Sequence, residues 1–189
     1  YCGARAGVRR PDYLQRRGRA RERTVRGVRS KNKRVGRKRL ERIKIAQLGI
    51  GHNHGEEKMK AFRKYPEIFD VVGVCEPDPV WLERRKDLPG YKGLPFLTKE
   101  ELFSIPGLQA ISVEADVKDL DAAALECIER GYHIHMDKPG GENFHEFEHL
   151  MTLAKEKQRV VQMGYMYRYN PAIRYALDLA IEGKLGEIF

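Results

Sequence analysis

The chain has 189 residues, 41% of them hydrophobic, which is enough for one domain with its own core and outside the range of a disordered composition. No apolar run approaches the ~20 residues that a helix needs to cross a bilayer, so no membrane partner is expected. The formal charge of +9 is uneven: residues 1–42 carry 17 Lys/Arg against 3 acids, and residues 43–189 carry 19 against 24. A body with net charge −5 has no electrostatic reason to bind nucleic acid or an anionic membrane.

Residues 1–42 are expected to be a disordered, arginine-rich tail. The stretch "RRGRARERTVRGVRSKNKRVGRKR" has neither a 3.6-residue nor a 2-residue apolar period. Nucleic-acid binding, a transit peptide and an over-extended reading frame with its native start near Leu40 all fit it. A twin-arginine export signal does not, because no apolar segment follows Arg16-Arg17. Cys2, Cys75 and Cys127 form no C-x-x-C pair, which argues against a disulfide framework and fits a reducing, cytoplasmic setting.

From residue 43 onward the pattern alternates between strand and helix. Ile43–Leu48 reads as a buried parallel strand, and residues 54–64 as a helix ended by Pro66. Phe69–Cys75 is the second strand, and Asp78-Pro79 starts a helix to about Lys86. Leu94–Leu97 is a short third strand. Thr98 with Glu101 forms a capping box for a helix through Phe103. Leu108–Val113 is the fourth strand. A helix over 118–130 follows, with a stripe of Leu120, Ala124, Leu125 and Ile128, and Gly131 just past its end.

Tyr132–Met136 is the fifth strand. Residues 143–157 form a helix with Phe144, Phe147, Leu150, Met151 and Ala154 in register. Val160–Met163 is the sixth strand, and Asn170-Pro171 opens a helix to about Glu182. The class is α/β: a doubly wound parallel Rossmann sheet with right-handed crossovers. Three parts are expected: the tail 1–42, a nucleotide-binding domain 43–167, and a linking helix and first strand of a second α/β domain at 168–189.

"IKIAQLGIGHNHG" places Gly49 and Gly51 where a dinucleotide-binding loop needs a tight turn and a close backbone approach to the pyrophosphate. His54 occupies the usual third-glycine position and Gly55 follows. His54 is either a surface histidine at a helix start or a cofactor-side residue without a proton-transfer role; the second is favoured. Glu76 ends the second strand, where a carboxylate accepts hydrogen bonds from ribose hydroxyls and repels a 2′-phosphate. That favours NAD over NADP; the plainer reading is that Glu76 only helps Asp78 cap the next helix.

Asp137-Lys138-Pro139 follows the fifth strand at its carboxyl end, the ligand side of an open α/β sheet. A desolvated lysine there can act as acid or base, whereas the bland reading is a charged turn. His133 and His135 share one face of a strand but lack a third ligand at convincing spacing. His145 and His149 in H-E-F-E-H match a zinc-helix spacing, yet the same helix buries the adjacent stripe. No metal is expected. "GYMYRYNPAIRY" interleaves aromatics and arginines; on an acidic body an active-site lining fits better than single-strand nucleic-acid stacking.

Together "IKIAQLGIGHNHG", "VVGVCEPDP", "ALECIERGYHIHMDKPGG" and "VVQMGYMYRYNPAIRYALDLAIEGKLGEI" resemble the N-terminal half of the Gfo/Idh/MocA oxidoreductases, over residues 43–189. The family's E-K-P appears as Asp137-Lys138-Pro139. The resemblance implies a catalytic Lys138 beside the nicotinamide. It implies cofactor contacts from Gly49, Gly51, His52, Asn53, His54, Glu76, Glu114, Asp137 and Pro139, the last after a cis peptide bond. Tyr165 and Arg168 would lie on the substrate side.

The family continues with a large, mostly antiparallel α/β domain that supplies a D-x-x-x-H-type pair and the oligomer interface. Gly186-Glu187-Ile188-Phe189 looks like its first strand, so the chain is expected to carry half an active site and to be inactive alone. The full-length protein is expected to be a homo-oligomer. The implied function is NAD-dependent hydride transfer to or from a hydroxyl carbon of a sugar, cyclitol or polyol. The alternatives are a non-catalytic NAD-binding regulator, with the basic tail recruiting nucleic acid, and NAD-dependent glycoside cleavage on the same fold.

Overall fold

The computed structural model describes residues 41–188; Cys2 and nearly all of the expected tail lie outside them. The elements run β1 (Ile43–Leu48), α1 (Gly55–Lys64), β2 (Phe69–Cys75), α2 (Pro79–Arg85), α3 (Lys99–Phe103) and β3 (Ala110–Val113). They continue as α4 (Val117–Glu129), β4 (His133–Met136), α5 (Phe144–Glu156), β5 (Val161–Met163) and α6 (Pro171–Ile181). Short 3-10 turns stand at Pro89–Tyr91 and Met166–Tyr169. All five strands are parallel, in the order β2-β1-β3-β4-β5. The direction of winding reverses between β1 and β3. A crevice therefore opens there at the carboxyl ends of the strands.

The helix ends follow from local chemistry. Asp78 accepts from the Val80 N–H, Asn143 from His145, and Asn170 from Ala172 and Ile173. Both halves of the Thr98–Glu101 capping box are formed. Gly131, at φ +90°, turns the chain out of α4 in the left-handed conformation that a side chain resists. Among the described residues, no helix is long and apolar enough to cross a membrane.

Apolar residues bury on both sheet faces. Ala46, Leu48, Ile111, Val113, Ile134 and Met136 share one cluster with residues of α4 and α5. Ile50, Met59, Val74 and Tyr91 form a smaller cluster on the α1 side. Within α4, Leu120, Ala124 and Ile128 are buried as expected, but Cys127 is buried with them while Leu125 is only half-buried. Leu120→Ala is expected to cost about 2–5 kcal/mol through lost transfer energy and a residual cavity. That corresponds to roughly 5–15 °C in melting temperature, read by thermal unfolding with Leu125→Ala as the milder reference.

Three expectations need correction. Leu94–Leu97 is not a strand: Phe96 makes one isolated parallel bridge to Val74, with Val74 N–H donating to the Pro95 carbonyl and Leu97 N–H to the Val74 carbonyl. Pro95 has no N–H to extend a ladder. On α5, Leu150 and Ala154 are buried, but Phe144 is 72% and Met151 40% exposed. The stripe is narrower than the sequence pattern, because only the sheet and α4 are there to receive it. Gly186–Ile188 form no strand; no described strand lies alongside to pair with them, and Phe189 lies outside the described residues.

Candidate active site

Gly49 to His54 connect β1 to α1 at the winding reversal. Gly49 has φ +87°, and a Cβ there would stand 2.4 Å from the Ala115 nitrogen. Only glycine lets β1 turn this close to the segment after β3. At Gly55 a Cβ would meet Tyr91 Oη at 3.0 Å, Gln47 Nε2 at 3.2 Å and Glu114 Cβ at 3.3 Å. The close helix–sheet approach that the third glycine of such loops permits is therefore made by Gly55. His54 is released to be the N-cap residue of α1, with its side chain free for other contacts.

Arg85 braces this loop from α2. Its guanidinium donates to the carbonyls of Ile50 (3.0 Å) and His52 (2.7 Å) and to Asn53 Oδ1 (3.0 Å), and it lies 4.7 Å from the centre of the Trp81 ring. The exposed Asn53 is thus held from the protein side. Glu76 sits at the end of β2 and accepts from the Ile50 and Asp78 N–H groups. It does more than support Asp78, which caps α2 itself. Burial pushes the Glu76 carboxyl up, against the lowering effect of these hydrogen bonds.

A crevice lined by Leu48, Gly49, Glu76, Trp81, Ala115 and Asp116 runs along the reversal point. Asp78, Asp119 and Glu126 also reach it, and its one lysine, Lys99, is paired with Glu126. The glycine turn, the N-terminus of α1 and the acid at the end of β2 fit an adenosine and its pyrophosphate.

The second half of the site forms at the carboxyl end of β4. Asp137 is fully buried. Its Oδ1 accepts from the Lys138 N–H at 2.7 Å; its Oδ2 meets His54 Nδ1 at 2.8 Å and His52 Nδ1 at 3.1 Å. Desolvation raises the Asp137 pKa, but the hydrogen bonds from His52 and Lys138 N–H, with the charge of Lys58, outweigh it and hold the carboxyl far below its ordinary range. The Asp137 hydrogen bond in turn pushes the His52 imidazole above its ordinary value, against desolvation. The Lys138–Pro139 peptide is cis.

A neighbouring cleft is lined by His54, Lys138, Gly164, Tyr165, Met166 and Tyr167. The fold therefore brings Lys138 and Tyr165 together with the glycine loop. Arg168 is exposed and does not line this cleft; its backbone N–H bonds to the Tyr165 carbonyl. One expectation is corrected: Lys138 is exposed, so these residues do not desolvate it.

Sequence reasoning missed Arg85 and a polar row across the sheet, of which Gln47 and Ser112 are buried, His135 is half-buried and Gln162 is exposed. Gln47, Ser112, His135 and Gln162 stand at matching register on β1, β3, β4 and β5. Glu114 is fully buried, accepts from Ser112 Oγ at 3.1 Å and lies 3.6 Å from His135 Nδ1. His135 Nε2 faces Lys58 Nζ at 3.3 Å. Gln47 Oε1 and Glu114 Oε2 have no partner among the described residues. The signal was a polar residue within the otherwise apolar strands β1 and β3. His133, by contrast, is engaged by the Val160 N–H and meets no ligand cluster.

Residues 43–165 match the family model of the Gfo/Idh/MocA oxidoreductases, described as an oxidoreductase family with an NAD-binding Rossmann fold. No curated protein matches the chain in sequence. Among solved structures, myo-inositol 2-dehydrogenase from Lactobacillus plantarum is similar at 22% identity and a TM-score of 0.66, over 79% of this chain and 44% of that one. The 3-ketoreductase KijD10 from Actinomadura kijaniata, in complex with TDP-benzene and NADP, is similar at 17% identity and a TM-score of 0.64, over 76% and 44%. The WlbA dehydrogenase from Chromobacterium violaceum, in complex with NADH and UDP-GlcNAcA, is similar at 16% identity and a TM-score of 0.67, over 79% and 43%. The chain thus spans less than half the length of each of these structures.

Proposed function

The chain belongs to the Gfo/Idh/MocA oxidoreductase family, with its NAD-binding Rossmann fold, and from that premise we propose that it is the cofactor-binding half of an NAD-dependent dehydrogenase acting on a hydroxyl carbon of a sugar, cyclitol or polyol. One observation carries this reading. Lys138, at the carboxyl end of β4, shares a cleft with the glycine-loop residue His54 and with Tyr165. A cofactor laid along the crevice and a substrate in this cleft would meet at the lysine.

Bound nicotinamide supplies the hydride acceptor at C4, or the donor in the reverse direction. Lys138 would take the hydroxyl proton in oxidation, or return it in reduction. Asp137 fixes the start of that turn through the Lys138 N–H, and Tyr165 and Tyr167 wall the substrate side. Glu76 would accept from the adenosine ribose. The remainder of the substrate pocket, and the burial Lys138 lacks here, would come from the second domain of a longer protein.

The test is a titration with NAD+ and NADP+, followed by Trp81 fluorescence and thermal unfolding. NAD+ at about 100 times its dissociation constant is expected to add about 2.7 kcal/mol, roughly 5–10 °C. Glu76→Gln keeps an acceptor oxygen but loses the charge. It is expected to weaken NAD+ about tenfold and to narrow the preference over NADP+, since a charged acceptor is worth about 1–1.5 kcal/mol more than a neutral one. Equal stabilisation by NADP+ in the unaltered chain would overturn the NAD assignment. No response to either nucleotide from a folded chain would overturn the cofactor reading.

A further inference from the structure

The loop that opens α1 does something that nucleotide binding does not require. It sends two imidazoles, His52 and His54, onto one carboxylate oxygen. His52 Nδ1 lies 3.1 Å and His54 Nδ1 2.8 Å from Asp137 Oδ2. The three ligand atoms lie within 4.8 Å of one another, and no other group of three or more His, Cys, Asp or Glu among the described residues converges in this way. We propose that His52 Nδ1, His54 Nδ1 and Asp137 Oδ2 form a binding site for a divalent transition-metal ion of the zinc class.

The spacing has the right scale. Two ligand atoms each ~2.1 Å from an ion stand about 3.0 Å apart at 90° and about 3.4 Å apart at a tetrahedral angle. The two observed separations bracket the first value and reach the second with a shift of a few tenths of an ångström. The donor set, two imidazoles and one carboxylate, suits zinc and its first-row neighbours and leaves coordination positions open.

His52 Nδ1 is approached by Asp137 Oδ2 and, at 3.2 Å, by the His54 backbone N–H. A neutral Nδ1 turns its lone pair toward an anionic oxygen, and a cation between the two would relieve that repulsion.

The surroundings are organised as a metal site requires. The two oxygens of Asp137 are divided between tasks. Oδ1 is fixed by the Lys138 N–H and lies, with Lys58 Nζ, against Gly164, where a Cβ would stand 2.7 Å from Oδ1 and 2.9 Å from Nζ. With Oδ1 held by the Lys138 N–H, Oδ2 is left to the imidazoles. Supporting contacts of this kind orient a ligand and tune its affinity. Asp137 and His52 are buried, so the site is rigid from below. His54 is 31% exposed and lines the Lys138 cleft, which gives an ion both an entry path and an open face.

The test is a titration of the chelator-treated 189-residue chain with Co2+, read by visible absorption, without nucleotide present. One equivalent is expected to produce ligand-field bands that Zn2+ abolishes by displacement. His54→Ala is expected to lower Co2+ affinity at least about 100-fold, because losing a ligand exceeds the 10–100-fold effect of losing a supporting contact. His54 is partly exposed, so this variant keeps the fold, which thermal unfolding checks. The His145→Ala/His149→Ala double variant removes the i, i+4 imidazole pair of α5 and should bind Co2+ as before. Three results would overturn the site: no saturable binding, binding unaffected by His54→Ala, or binding abolished by the His145/His149 variant.

Discussion

Gly49→Val is expected to lower the melting temperature by roughly 10 °C and to abolish NAD+ binding. Two costs combine. Gly49 holds φ +87°, a conformation that strains a β-branched residue, and the new Cβ would lie 2.4 Å from the Ala115 nitrogen and 2.5 Å from its Cα. Backbone cannot move aside as a side-chain tip can. Either β1 separates from the β3–α4 connection or the turn unwinds, at about 3 kcal/mol or more. Gly93→Ala separates the two costs. Gly93 holds φ +78°, and a Cβ there would find nothing within 4 Å, so this variant carries strain without collision. It should cost about 1–2 kcal/mol and leave NAD+ binding intact. Calorimetry and nucleotide titration on the two variants provide the check. Equal behaviour of both variants would remove the steric argument for the loop.

Lys138→Met, in the protein complete with its substrate-binding part, is expected to reduce hydride transfer by about 10²–10⁴-fold, the range for a lost general acid–base group. NAD+ affinity should stay within about threefold, because under the proposed function Lys138 acts on the hydroxyl proton and not on the cofactor. Lys138→Arg should fail to restore the rate, since a guanidinium stays charged at any working pH. A structural role would predict the reverse: Arg restoring most of the loss, and NAD+ binding falling with the rate. Lys138 is exposed, so under the proposed function the dry environment that sharpens its proton transfer would come from outside residues 41–188.

The winding of the sheet was legible because each element carries its own instruction. Asp78-Pro79, the Thr98–Glu101 box, Gly131 and Asn170-Pro171 fix helix ends by bonding or conformational preference within a few residues. Alternating apolar strands and helices then leave few parallel topologies. Leu94–Leu97 misled because β-propensity says nothing about whether a partner is present to pair with; only Val74 was. Phe144 and Met151 misled for a related reason: helical register names a face, and neighbouring elements decide how wide a face is covered.

For the site, the sequence by itself determined the glycine turn, Glu76 at the end of β2 and Lys138 at the end of β4, since each depends on its place along one element. Only the tertiary structure decided which residues meet across elements. It gave the close helix–sheet approach to Gly55 rather than His54, placed Arg85 over three loop acceptors, and aligned Gln47, Ser112 and His135 into one row across the sheet. It also turned two loop histidines onto the oxygen of a residue more than 80 positions away. Spacing along a chain encodes contacts within a turn or a strand; contacts between β1–α1 and β4 arise only once parallel pairing has brought the carboxyl ends of those strands to one edge.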